Sequence, residues 1–307
     1  MFTKEQMNIV KKTKGIQFWV KDSKAYFLTS GYSTYVIIPT AMKDGTYDLD
    51  MFKLGKEKLL NDKPEVPVFE AENKGNFDSR ELLQAIPFMS EDETRYFMCG
   101  ILMYYTGEVV ATDGRTLYTS CKVNSQDENE STTFHVTKRN VNLFKAFLKL
   151  SDTVQLYYDD KNIRILEAKD GTRWVDYQGK DQFPNWNSAF PKVSEFKNTF
   201  ALPEKKVLDD MLKVSKMYNK ASLRIHFDFE NGRAFILGKD DFEWDIEKSE
   251  GRSAFNIEYI IRAYQAGVRK LKYFSENRAF MGYVEDSADI QKPSYEPKVL
   301  VMPCQWD

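Results

Sequence analysis

Histidine and cysteine are scarce in this chain of 307 residues, which has two of the first and three of the second. Cys99, Cys121 and Cys304 are odd in number, widely spaced and without a Cys-x-x-Cys pair. That leaves no basis for a disulfide framework or a zinc site, and the expected compartment is the reducing cytoplasm. Neither His135 nor His226 stands at a metal-ligand or catalytic-triad spacing, so each is read as a structural side chain. No Gly-x-x-x-x-Gly-Lys-Ser/Thr run occurs, so no nucleotide-driven step is expected of the chain itself. The opening Met1-Phe2-Thr3-Lys4-Glu5 lacks the apolar core of a signal peptide, and no stretch approaches the ~18 apolar residues of a membrane span. Neither a cofactor nor a metal is expected.

What remains is an ordinary globular composition, 42% hydrophobic and 29% charged, long enough for two or three domains. A formal net charge of −2, if spread evenly, would disfavour nucleic acid. It does not, because 44 Lys+Arg and 46 Asp+Glu can be segregated onto different surfaces.

A recurring pattern organises the chain: an aromatic-led strand that runs into an amphipathic helix, opening at Phe2, Tyr47, Phe77, Phe134, Phe200 and Phe255. Helix-start signals follow at Thr3 with Gln6, Asp78 with Glu81, Thr137, Pro203 and Asn256. Strand-like runs come after each helix, as at Ile16 to Val20, Ala25 to Thr29 and Tyr32 to Ile38, or Thr153 to Tyr158, Asn162 to Ala168 and Thr172 to Gln178. Six such units imply three similar domains, over residues 1–75, 76–196 and 197–307, in an α+β fold. The second unit is short. After a helix near Asp50 to Leu60 and a strand at Val66 to Ala71 it has no room for more, so the first domain is expected to be truncated.

The most informative stretch runs from Arg95 to Tyr118. Tyr96 to Tyr105 and Glu108 to Ala111 read as strands of a hairpin turning at Thr106-Gly107, and Asp113-Gly114 supplies a second turn. Gly114 then leaves backbone open beside an exposed Leu117. Cys99-Gly100-Ile101-Leu102 and Val110-Ala111-Thr112-Asp113-Gly114 with Leu117, Phe183-Pro184-Asn185-Trp186, and Val299-Leu300-Val301-Met302-Pro303 resemble, in order and spacing, motifs of the bacterial replicative sliding clamp, the beta subunit of DNA polymerase III. The resemblance covers about Asn76 to Asp307. It implies a DNA-clamp fold of repeated helix-plus-antiparallel-sheet units, three clamp domains, and a ring whose hole is lined by helices.

The helices carry cations suited to such a hole. Lys138, Lys145 and Lys149 recur opposite Phe144, Phe147 and Leu148. Lys205, Lys206, Lys213 and Lys216 oppose Leu208 and Met211, while Arg262 and Arg269 oppose Ile260 and Tyr264, and the first helix offers Lys4, Lys11, Lys12 and Lys14. Facing one channel, they would meet the phosphates of double-stranded DNA without reading bases. The resemblance further implies an apolar groove for a short partner peptide, formed here by Met98, Thr112, Gly114, Leu117, Pro184, Ala189, Leu300, Met302, Pro303 and Cys304, with Arg115 at its rim. The implied partners are a DNA polymerase, a clamp-loader ATPase and a second copy of the chain in a head-to-tail dimer. Arg115-Thr116 stands where the family has His-Arg, and Cys304-Gln305-Trp306-Asp307 where it has Met-Arg-Leu. Two rival readings stay open: a polymerase accessory subunit that never closes into a ring, and a metal-dependent nuclease using Asp159-Asp160 and Asp240-Asp241, which read first as turn residues.

Overall fold

The computed structural model describes residues 2–29, 34–60, 71–120, 130–159, 163–177, 182–192, 198–217, 224–237, 239–273, 278–284 and 298–304. The expected strand over 66–71 falls almost wholly outside them, as do Cys121, Asp160 and residues 305–307. Helix α1 (Lys4–Lys12) opens with the capping box read from the sequence: Thr3 Oγ1 accepts from Gln6 N, and Gln6 Oε1 accepts from Thr3 N. It leads into β1 (Gln17–Lys21), β2 (Lys24–Leu28), β3 (Thr34–Pro39) and β4 (Gly45–Asp48). Asp48 then caps α2 (Leu49–Lys53) by accepting from Met51 N at 3.0 Å. That helix stops after five residues, short of the expected Leu60, and β5 (Leu59–Leu60) follows.

The same junction recurs where β6 (Glu72–Asp78) enters α3 (Ser79–Ala85) through an Asp78 cap. A 3-10 turn at Glu93–Met98 occupies the start of the expected Tyr96 strand, because Asp92 caps it through Thr94 N; β7 (Gly100–Tyr104) begins only after it. There follow β8 (Val109–Thr112), β9 (Thr116–Thr119), β10 (Ser131–His135) and α4 (Val141–Leu148). Helix α4 starts later than Thr137 predicts. Asn140 N bonds Thr137 O in a turn, and the Asn140 side chain reaches Thr29 Oγ1 at 3.2 Å instead of capping the helix. Strands β11 (Thr153–Tyr158), β12 (Ile163–Ala168), β13 (Arg173–Tyr177) and β14 (Asn198–Ala201) precede α5 (Lys205–Met217), which begins two residues beyond Pro203. The chain closes with β15 (Arg224–Asp228), β16 (Arg233–Ile236), β17 (Lys239–Asp245), β18 (Arg252–Asn256), α6 (Ile257–Gln265), β19 (Val268–Tyr273), β20 (Phe280–Val284) and β21 (Val299–Val301).

These elements gather into two compact units, one of Met1–Ile86, Ser90–Val109 and Glu128–Gln182, the other of Pro87–Met89, Val110–Asp127 and Phe183–Asp307. In the first, an antiparallel sheet runs in the order β5-β4-β1-β2-β3-β13-β12-β11-β6, so that β3 pairs a strand more than a hundred residues later, Val36 opposite Trp174. One face buries aromatic rings: Phe18 stacks on Phe27 at 4.8 Å, and Phe144 meets Trp174 edge-on at 5.0 Å. Helix α1 adds Ile9 and Val10 and packs on α4, as does α3. β7 pairs β10 so closely that a Cβ at Gly100 would lie 2.6 Å from Phe134 O.

In the second unit, β8-β9-β21-β20-β19-β14 are successive neighbours, and β17-β16-β15-β18 form a four-stranded sheet. Phe200 stacks on Phe229 at 3.7 Å, and Phe255 meets Phe280 edge-on at 4.8 Å. Helices α5 and α6 pack together, their buried sides made by Leu208, Met211, Val214, Ile257, Ile260 and Ala263.

Candidate peptide groove and nucleic-acid interface

The turn between β8 and β9 is built by two small side chains. Asp113 Oδ1 accepts from Arg115 N at 2.8 Å, Thr116 N at 2.6 Å and Thr116 Oγ1 at 3.0 Å. Thr112 Oγ1 accepts from Gly114 N at 3.0 Å and donates to Thr116 O at 2.7 Å. Gly114 takes φ 79°, where a side chain would be strained. Leu117 is buried, 4% exposed, which corrects its reading as an exposed anchor: it sits opposite Thr112 on β8 and Leu300 on β21.

The C-terminal segment completes this edge. β21 runs antiparallel to β9, and Met302 N extends the ladder by donating to Arg115 O at 2.9 Å. Two residues on, Cys304 N donates to Ala254 O at 2.7 Å. Met302, Pro303 and Cys304 are half-buried, presenting a partly apolar surface next to the turn. Thr112, Gly114, Arg115, Leu117, Leu300 and Met302 are thus gathered from two distant segments by one ladder, with Cys304 attached through β18. Pro184 and Ala189 flank the buried Trp186 in a separate loop of the same unit. Met98 belongs to the first unit, where it is 7% exposed and its carbonyl accepts from Ser90 N.

One group at this turn is assigned otherwise by the sequence pattern. Arg262 Nη1, from α6, lies 2.7 Å from Asp113 Oδ2 and 3.5 Å from Thr116 Oγ1. Its guanidinium sits 5.7 Å from the Tyr259 ring centre. Burial raises the Tyr259 phenol above its ordinary pKa, and the Asp113 carboxylate adds to the rise while Arg115 and Arg262 oppose it. Asp113 read only as a turn former; at a sequence separation of 149 from Arg262, no local pattern joins the two.

The cationic helix faces are partly as expected. On α1, Lys4, Lys11 and Lys12 are exposed opposite Ile9 and Val10, with Lys12 Nζ 3.0 Å from Asn8 Oδ1. On α5, Lys206, Lys213 and Lys216 are exposed opposite Leu208 and Met211. Lys145 is half-buried on α4, and Lys149, exposed, is its C-cap. Lys138 departs from the pattern: it precedes α4 and pairs with Glu91 at 2.6 Å. Arg269 lies on β19 and not on α6; its guanidinium covers the Tyr264 ring at 3.8 Å and donates to Tyr264 O and Val268 O.

Among the described residues no three His, Cys, Asp or Glu side chains are placed to hold a metal ion, and no helix is long and apolar enough to cross a membrane. Asp159 Oδ1 accepts from Ile163 N at 2.7 Å, a turn-forming bond; the side chains of Asp240 and Asp241 fall outside the described set. His135 and His226 are buried within sheets, and burial, with Arg224 nearby, lowers the His226 pKa.

No protein-family model matches the sequence, and no curated protein matches it. Solved structures do match in fold. The DNA polymerase III beta subunit of Thermotoga maritima superposes with a TM-score of 0.70 at 15% identity, covering 98% of this chain and 96% of that one. The beta chain of Streptococcus pneumoniae gives 0.69 at 13% identity over 98% and 97%. The sliding clamp of Bartonella birtlesii, bound to griselimycin, gives 0.71 at 11% identity over 98% and 97%. The likeness takes in the first 75 residues, which the sequence motifs do not reach, and the chain has the sliding-clamp fold of the DNA polymerase III beta subunit.

Proposed function

We propose that the protein is a DNA sliding clamp, a processivity factor that encircles duplex DNA and tethers a replicative polymerase without performing chemistry itself. The observation that carries this reading is the combination of the clamp fold over nearly the whole chain with helices α1 and α5, which bury an apolar side and turn lysines outward, and with α4, which adds a half-buried Lys145 and an exposed Lys149 at its C-cap. Lysines facing the backbone of a duplex bind every step alike, and that uniformity lets a ring slide. A tethered polymerase that lets go is recaptured at high effective concentration. The polymerase is held through a short extended peptide beside the 112–117 turn and the 300–304 segment, and a separate loader ATPase opens the ring. In this reading the domains are 1–75, 76–196 and 197–307, and the protein works in the cytoplasm.

The ring is a head-to-tail homodimer. Two end strands support this: β5, with Leu59 61% exposed beside Lys56 and Lys58, and β17, with Glu243 and Asp245 exposed. Each ends its sheet among the described residues, and an end strand can pair with an end strand of a second copy in a heterologous contact. The short α2 favours a second reading, a monomeric accessory subunit. Sedimentation over a range of concentrations separates the two, with Leu59→Glu as the variant that keeps a ring-former monomeric.

The deciding experiment loads the protein on a nicked circular duplex and then linearises the DNA. A ring stays on the circle through a high-salt wash and is lost once ends appear; equal loss from both forms refutes encirclement.

A further inference from the structure

We infer that Arg262 is a positioning residue for the groove turn and is withdrawn from the DNA-facing set, an inference that rests on the clamp reading only for what the groove and the lining bind. Asp113 divides its two oxygens between two tasks. Oδ1 closes the turn, taking the amides of Arg115 and Thr116 and the Thr116 hydroxyl, while Oδ2 takes the guanidinium from α6 at 2.7 Å. The turn is therefore shaped by its own residues and held in place by a helix. Because Arg115 O also accepts from Met302 N, the position of the turn sets that of the C-terminal segment along the same edge.

The surroundings of Arg262 fit this role better than phosphate binding. Its side chain is 25% exposed and that of Asp113 16%, and the guanidinium is further held by Thr116 Oγ1 and the Tyr259 ring. A charge-assisted bond in a partly shielded place is among the stronger polar contacts, and reaching a phosphate would break it. Lysines such as Lys213, exposed on α5 and with no ion-pair partner among the described residues, meet no such obstacle. Helix α6 thus fixes the groove while its neighbour α5 meets DNA.

The test compares full-length Arg262→Gln, Arg262→Lys and Lys213→Gln in two measurements: amide hydrogen exchange, and the salt dependence of binding to a short duplex. Arg262→Gln is expected to speed exchange at Arg115, Thr116 and Met302 about tenfold or more, leaving β15 and β18 protected and the salt slope unchanged. Arg262→Lys restores part of that protection. Lys213→Gln leaves exchange alone and lowers the slope by about 0.9 per chain for one lost phosphate contact. A slope lowered equally by Arg262→Gln, with turn exchange unchanged, overturns the inference, as does faster exchange spread evenly over the whole unit. Absence of duplex binding by the unmodified protein would count against the clamp reading instead, and the exchange comparison would still decide where Arg262 acts.

Discussion

Neutralising Lys145 and Lys213 together is the sharpest probe of the proposed lining. Both carry their charge away from a buried helix side, and neither has an ion-pair partner among the described residues. They are better choices than Lys138, already held by Glu91, or Lys205, 3.9 Å from Asp209. Each phosphate contact contributes about 0.9 to the slope of log K against log salt. Two lysines in each of two subunits give a loss of up to about 3.6. Between 50 and 200 mM salt, a fourfold change, the unmodified protein should then lose roughly 150-fold more affinity than Lys145→Gln/Lys213→Gln. Fluorescence anisotropy on a short duplex across that range measures it, with far-ultraviolet circular dichroism and thermal melting as checks of folding. Identical slopes in well-folded proteins would show that these helices do not face DNA.

Three further outcomes are expected. Met302→Asp should abolish stimulation of the cognate polymerase while native mass spectrometry shows the same assembly, because it charges the groove edge without touching β5 or β17. Gly100→Ala should destabilise the protein by about 1–3 kcal/mol, since the new methyl would lie 2.6 Å from the Phe134 carbonyl oxygen and 3.0 Å from His135 Cα, backbone that cannot move aside; urea titration reads the loss. Stability should also fall as pH drops below the ordinary histidine value of about 6.5. His226 has a lowered folded pKa, so the unfolded chain takes up its proton first, and the contribution present above that value is lost as pH falls through the folded one. Denaturant titrations at pH 7.5 and 5.5 should show a smaller difference in His226→Asn.

The fold was legible where local chemistry repeats. Capping side chains at Thr3, Asp78 and Asn256 mark the beginnings of α1, α3 and α6; Thr3 accepts from the expected Gln6 N, whereas Asp78 accepts from Arg80 N, one residue before the expected Glu81, and Asn256 from Glu258 N. Where tertiary contacts compete, local reading slips: Asn140 spends its side chain on Thr29, so α4 begins after the predicted Thr137. Of the groove, the pattern gave the turn at Asp113-Gly114, and the family resemblance singled out the segment from Val299 to Pro303, in which the structure places the strand Val299–Val301. Burial of Leu117 escaped it, because that depends on β21, contributed by a segment about 180 residues later. Charge periodicity likewise placed Arg262 and Arg269 with the lysines. Periodicity does not register that a guanidinium, with several donors in a plane, readily finds an internal carboxylate or carbonyl when one is near.

The ladder between β3 and β13 bears on how the chain is made. Residues 34–39 wait for partners at 173–177, so at a synthesis rate of about 5–20 residues per second their outer backbone groups stay uncovered for roughly 7–30 s. A nascent first unit is sticky throughout that interval. Fragments ending near residue 75 would keep that border open permanently, and are expected to precipitate where the full-length product stays in solution.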